Sequence, residues 1–270
     1  MGLGLALMLG CLQGLTEFLP VSSSGHLKLM ETWGAVTSPT MFFDILLHVG
    51  TLAAVFFVYR KLFASMSLSL WRVLRGQAKL KDESHARLFF FALVATVPTG
   101  LIAIAFGDSM EDFASSTSFV GAMLLVNGVL LLALGVLQRR QAEGEGRTLE
   151  EMNLKDALVI GTIQGFGIFR GISRSGATIT AALGLGLRQD AAAAFSFVMA
   201  VPAILGALAM KAPEASASGI ETHVFLGGAL AAAIVGTLAL IALLSLLKRG
   251  KLHHFAWYCF ALGAWAIIGT

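Results

Sequence analysis

Charge is scarce in this chain. Only 13% of its 270 residues are Asp, Glu, Lys or Arg, against 57% hydrophobic residues, and the mean hydropathy is +0.81. A water-soluble domain of this length could not hide so much apolar surface, so an integral membrane protein is expected. The net charge of +3 is too small to point to nucleic acid. Cysteine is nearly absent: Cys11 and Cys259 lie far apart in apolar segments. That excludes a disulfide framework or a cysteine metal site and leaves two small buried hydrophobes. No Lys or Arg precedes the first apolar run and no cleavage site is evident, so a secretory signal is not expected.

What is present is a repeat. Gly10–Leu27, GCLQGLTEFLPVSSSGHL, carries an acid, a proline, serines and a histidine inside an apolar N-terminus. It aligns without a gap with Gly161–Thr178, GTIQGFGIFRGISRSGAT. The pairs Gly10/Gly161, Gln13/Gln164, Gly14/Gly165, Phe18/Phe169, Ser22/Ser173, Ser24/Ser175 and Gly25/Gly176 are identical. Two copies of a polar, broken segment in apolar sequence indicate duplicated halves whose breaks meet at one site.

The arms flanking each break are shorter than the ~20 residues that span a bilayer. Each break therefore reads as a re-entrant hairpin, half-helix, loop and half-helix. The crossings follow: Met41–Tyr59 inward, Leu88–Phe106 outward and Phe119–Leu137 inward; then Ala191–Met210 outward, Val224–Leu247 inward and Phe255–Ile268 outward. Phe63, Met66, Leu70 and Leu74 share one helical face, which predicts an interfacial helix in the basic stretch Arg60–Arg87. Gly107–Ser118, with Asp108, Glu111 and Asp112, and Lys211–His223 read as outer segments. Fifteen of the 19 Lys and Arg residues fall on the proposed inner side, as the positive-inside rule requires. The expected architecture is all-α: six transmembrane helices plus two re-entrant hairpins in one membrane domain, 1–270. Its halves, 1–137 and 156–270, are joined by a flexible cytoplasmic linker, 138–155. Three crossings per half is an odd number, so the repeats have inverted topology, with both termini outside.

Ionisable groups at membrane depth are functional candidates. Here they are Glu17, His26, Asp44, His48, Arg170 and Arg174. Ser173 is a good N-cap, Gly176 permits close approach of a ligand, and the following helix would present free N–H groups to an anion. Arg174 adds a fork suited to phosphate oxygens. The first copy has Ser23 where the second has Arg174, and His26 where the second has Ala177. Glu17, placed between them, is expected to hold the His26 imidazole in one tautomer. Asp44 and His48, four residues apart on one helical face, read first as a structural pair and second as support for the site. Gln13 and Gln164 read as partners for loop backbone. Ser22, Ser24, Gly25, Ser173, Ser175 and Gly176 complete a phosphate cradle.

QGLTEFLPVSSSGH and GISRSGATIT closely resemble the two signature regions of the undecaprenyl pyrophosphate phosphatase family, the bacitracin-resistance type of bacterial membrane phosphatase. Phe43–Val55 and Ala193–Pro202 resemble further family stretches. The resemblance implies hydrolysis of the lipid pyrophosphate to the monophosphate carrier at the outer face of the bacterial inner membrane. Glu17 matches the second acid of the family's Glu/Gln-xxx-Glu motif, with Gln13 in first place. Ser22, Ser23, Gly25 and His26 match Pro-Val-Ser-Ser-x-Gly-His. Ser173, Arg174, Ser175 and Gly176 match Pro-Gly-x-Ser-Arg-Ser-Gly, with Arg170 where the family usually has proline. A divalent cation, Mg or Ca, bridging the pyrophosphate is a family-level expectation, with no metal ligands assigned; a homodimer is left open. The sequence allows His26 as nucleophile, or as activator of water or Ser23. The rival class is a flippase or transporter on the same inverted-repeat scaffold.

Overall fold

The structure is a computed structural model that describes residues 2–33, 41–77, 80–141, 144–211 and 221–269. Among these residues the architecture is all-α. The N-terminal half runs α1 (Leu3–Phe18), α2 (Ser23–Thr32), α3 (Met41–Val58), α4 (Arg60–Leu74), α5 (Leu80–Ser115) and α6 (Thr117–Arg140). The C-terminal half runs α7 (Leu154–Gly165), α8 (Arg174–Gly184), α9 (Gln189–Lys211), α10 (Thr222–Lys248) and α11 (Phe255–Ile268).

Both predicted breaks are present. In the first, Pro20 cannot donate a helical hydrogen bond, and Ser22 turns the chain at φ 68° before capping α2 through Gly25 N–H. In the second, a 3₁₀ turn at Phe166–Ile168 closes α7, and Ser173 caps α8 through Gly176 N–H. Four helices are long and apolar enough to cross a membrane, within α5 (Glu83–Gly107), α6, α9 and α10. The pair α3–α4 passes the same test only together and bends by 82° at its break. The helix α11 is apolar but shorter. Side chains such as Ile104 (76% exposed), Leu238 (65%) and Leu226 (64%) face outward. Water would not tolerate such a surface, and lipid covers it. The protein is a multi-pass membrane protein.

One local expectation changes and two gain detail. The segment Gly107–Ser118, read as outer, is helical as far as Ser115, where α5 ends, and Ser116 caps α6. The helix predicted in the basic stretch is present as α4, with Met66 of its apolar face buried against the core and Leu74, at its end, 75% exposed. Cys11 is exposed, and only Cys259 is a buried hydrophobe. Residues 212–220 of the outer segment and 142–143 of the linker lie outside the described residues. The rest of the linker is docked: Arg147 exchanges backbone hydrogen bonds with Gly186 and Arg188, at 2.8 Å each. Its guanidinium forks onto Asp156, with both bonds 2.8 Å.

The packing exchanges partners between halves. The first arm, α1, lies along α10 of the second half, and α7 lies along α5 of the first. The repeat glycines explain this. A Cβ at Gly10 would collide with the Gly228 carbonyl, and one at Gly161 with Ala95 backbone. The helices α6 and α11 pack together, with Gly121 and Gly263 each facing the other's carbonyl. The helices α3 and α9 also meet. The hairpin loops therefore end up together in the interior, beside the buried rings of Phe18 and Phe197, whose centroids lie 5.6 Å apart.

Candidate active site

The two loops are laced to each other. Gly171 N–H donates to Ser22 Oγ at 3.0 Å, the same oxygen that caps α2. Gly171 sits at φ +111° with its Cα face against Val120 and Met123 of α6, so no side chain fits there. A fully buried Asn127 on α6 joins both loops. Its amide donates to Pro20 carbonyl at 2.9 Å, and its oxygen accepts from Ser173 N–H at 3.0 Å. Sequence reading missed Asn127, although a lone amide in an apolar crossing is a visible signal.

Ser23 and Arg174, equivalent in the repeat, are the first residues of α2 and α8. Their side chains take opposite oxygens of one carboxylate. Ser23 Oγ donates to Glu17 Oε2 at 2.7 Å, and Arg174 Nη2 donates to Glu17 Oε1 at 2.5 Å. Gln13 Nε2 also donates to Oε2, at 3.0 Å. Gln13 thus serves a side chain rather than loop backbone. Gln164, its counterpart, donates to the Thr99 hydroxyl at 3.1 Å.

The imidazole beside Glu17 is His48, not His26. His26 Nδ1 donates to Ser22 carbonyl at 2.7 Å. A carbonyl only accepts, so Nδ1 carries the proton and Nε2 of the neutral ring accepts from Tyr258 hydroxyl at 2.6 Å. The Tyr258 ring stacks on His26 at 5.6 Å. The expected Glu17–His26 contact is absent among the described residues because α2 starts at Ser23 and turns His26 toward α11. His48 Nε2 stands 3.5 Å from Glu17 Oε2. The anticipated Asp44–His48 side-chain pair is also absent: His48 Nδ1 bonds to the backbone carbonyl of Asp44 at 2.8 Å.

Glu17, Ser23, Asp44, His48, Thr99, Gln164 and Arg174 line one cavity of about 380 Å³, together with Ser22, Ser24, Ser173 and Arg170, while Gln13, His26 and Tyr258 lie outside its lining. Its other wall is apolar: Leu27, Ile45, Ile168 and Ile172, and Ala200, Ala203, Ile204 and Ala207 of α9. Gly25, Ser175 and Gly176 support it from behind. Ser175 shares a hydrogen bond with Ser173 at 3.2 Å, and added Cβ atoms at Gly25 and Gly176 would press on Gly171 and Pro20. Among the described residues, three buried polar atoms of the lining have no partner, Arg174 Nη1, Asp44 Oδ1 and Gln164 Oε1, and neither has Gln13 Oε1 behind Glu17. Unsatisfied buried polar groups are expensive, and their convergence on a polar pocket marks a place for a charged, hydrogen-bonding ligand. Among the described residues no three His, Cys, Asp or Glu side chains gather as a metal set. Glu17 is already held by three donors, and Asp44 offers one free oxygen. The residues do not form a resident cation site.

Fold and site together define a multi-pass membrane protein whose interior cavity, built between two broken helices, presents a guanidinium, a carboxylate and several hydroxyls. The chain belongs to the family described as bacitracin resistance protein BacA, whose profile matches residues 6–265. It is 42% identical to the undecaprenyl-diphosphatase of Desulforapulum autotrophicum, over 97% of this chain and 96% of that protein. The undecaprenyl-diphosphatases of Desulfatibacillum aliphaticivorans, at 39%, and Alkaliphilus metalliredigens, at 36%, match over 97% of this chain and 97% of each of those proteins.

Proposed function

We propose that this protein hydrolyses undecaprenyl pyrophosphate to undecaprenyl phosphate and inorganic phosphate, recycling the carrier lipid of cell-wall synthesis and giving bacitracin resistance. One observation carries the reading. A single carboxylate, Glu17, is held by the hydroxyl of Ser23 and the guanidinium of Arg174, and that guanidinium keeps one nitrogen unpaired.

The diphosphate would enter head first. Arg174 Nη1, the Ser22, Ser24 and Ser173 hydroxyls and the start of α8 receive its oxygens. The apolar wall receives the first prenyl units. Ser23 is the nucleophile this geometry favours, since it faces the cavity with its hydroxyl already donating to Glu17. Attack of Ser23 Oγ on the terminal phosphorus breaks the bridging P–O bond, and polyprenyl phosphate leaves with the electron pair. Water then hydrolyses the phosphoserine and inorganic phosphate departs. Arg174 stabilises the charge on the transferring group, a role commonly worth about 10³–10⁵ in rate. His26 acts from outside the cavity, pinning the strained Ser22 carbonyl that sets the position of Ser23. The divalent cation of the family expectation enters no step.

We further infer six crossings and two re-entrant hairpins in an inverted repeat. The termini and the cavity mouth face outward and the Arg60–Arg87 stretch faces the cytoplasm. The support is the charge asymmetry and the exchanged packing.

The test is phosphate release from undecaprenyl pyrophosphate by purified protein in detergent. There no gradient exists, and a transporter would return the lipid unchanged. Wild type is expected to release phosphate and Arg174→Ala to lose nearly all of it. A trapped phosphoenzyme stable in acid and labile in base supports Ser23; an acid-labile adduct points to histidine.

A further inference from the structure

The two residues that touch Glu17 Oε2 besides Ser23 come from different helices. Gln13 approaches from α1 at 3.0 Å and His48 from α3 at 3.5 Å. Gln13 is fully buried, and its amide carries no transferable proton. His48 is different. Its side chain is 26% exposed, it lines the cavity, and its Nδ1–H is fixed on the Asp44 carbonyl. That bond leaves the Nε2 lone pair of the neutral ring facing the oxygen that accepts the Ser23 proton.

We propose that His48 is the positioning residue through which Glu17 is emptied of the Ser23 proton in the first half-reaction and resupplied with one for Ser23 in the second. The inference rests on the hydrolase reading above. As Ser23 Oγ bonds to phosphorus, its proton passes to Glu17 Oε2 and on to His48 Nε2. His48 gives it to cavity water while polyprenyl phosphate leaves. In the second half-reaction the attacking water loses a proton to His48 Nε2, and Glu17 Oε2 relays a proton from His48 back to Ser23 Oγ as the Ser23–phosphorus bond breaks; inorganic phosphate leaves with the water's oxygen and Ser23 regains its hydroxyl. At 3.5 Å His48 Nε2 stands just beyond ordinary hydrogen-bond distance from Glu17 Oε2, and a modest approach brings the two within range when a proton lies between them. A proton held on Glu17 would stop it accepting another, whereas an imidazole changes charge near neutral pH.

The charged groups around His48 are few. They are Glu17 on α1, Asp44 on its own helix with Arg170 and Glu31 acting on it, and Arg174 on α8. The helices α9 and α10, which also pack on α3, carry charges only near their ends, at Asp190, Lys211, His223 and Lys248.

The test uses full-length protein in detergent with undecaprenyl pyrophosphate, and compares His48→Gln with the double variant Gln13→Glu/His48→Gln. Glutamine at 48 keeps a hydrogen-bonding side chain of similar reach but cannot carry the proton. His48→Gln is expected to lower kcat about tenfold or more with little change in KM, and to lose the limb of the pH–rate profile set by the imidazole. Glu at 13 would restore a proton carrier on the same oxygen from α1, and the double variant is expected to regain most of the lost kcat. A thermal midpoint within a degree or two of wild type shows that each variant is folded, and a fall in kcat explained by unfolding counts against the proposal. Wild-type kcat and pH profile in His48→Gln, or a double variant no faster than His48→Gln, overturns it. If wild type itself releases no phosphate, the hydrolase reading fails instead.

Discussion

Arg174 has two ends to its fork, one on Glu17 and one open to the cavity. Lysine is a point charge and cannot serve both. Arg174→Lys is therefore expected to lower kcat for phosphate release about 100-fold while the protein still folds, checked by kinetics beside a thermal melt. Asn127 has no place in the chemistry but fastens both loops. Asn127→Ala leaves Ser173 N–H unpartnered in the interior, at about 1–3 kcal/mol, and leaves Pro20 carbonyl only the weak Cys259 thiol at 3.9 Å. A lower thermal midpoint, with a further fall in activity from a loosened Ser22–Ser23 turn, is the expected result. Glu17, Ser23 and Arg174 were legible in the sequence because the repeat singles them out: a Ser and an Arg at one register, and an acid in only one copy. His48 was not, because it lies outside the repeat and its link to Glu17 is tertiary. His26 was misplaced for a related reason. Proximity in sequence to Glu17 says nothing of which way α2 faces, and Ser22's left-handed turn sends the ring to Tyr258.

At the scale of elements, the glycines shared by the two copies decide how the arms seat. Gly161 on α7 meets Ala95 of α5 backbone to backbone, as Gly10 on α1 meets Gly228 of α10. A side chain at either position must push two helices apart, at ~1–3 kcal/mol. Gly161→Val and Gly10→Val should each lower the thermal midpoint in detergent, while valine at Gly100, which has open space around it, should have a much smaller effect. Both breaks were readable because proline, serine and glycine interrupt apolar runs too short to span. The continuation of α5 through Ser115 was not: an acidic stretch suits an exposed helix as well as a loop. The docking of the linker was equally hidden. Glycine-rich sequence reads as flexible, but a salt bridge to a residue beyond it overrides local composition.

For the molecule as a whole, that salt bridge ties the join between halves to the aqueous end of α7. Burial alone would raise the Asp156 carboxyl, yet hydrogen bonds from Arg147 and Asn153 N–H, with the charge of Arg147, bring it below its ordinary value of 3.8. The sign follows: this stabilisation is complete above that ordinary value and disappears as pH falls through the lower folded one. Asp156→Asn, which keeps the shape and removes the charge, should melt earlier than wild type at neutral pH. The gap between the two should close in strong acid, as a series of melts across pH would record. The exchange of arms reaches further. Neither set of helices is a self-sufficient unit, since each first arm finds its bed on the opposite set. A chain severed in the connecting stretch could still clasp its two pieces together, whereas deleting either piece would strip the other's arm of its seat. The cavity at that clasp exists only when both are present, and its two similar segments contribute different side chains to it, Ser23 from one and Arg174 from the other.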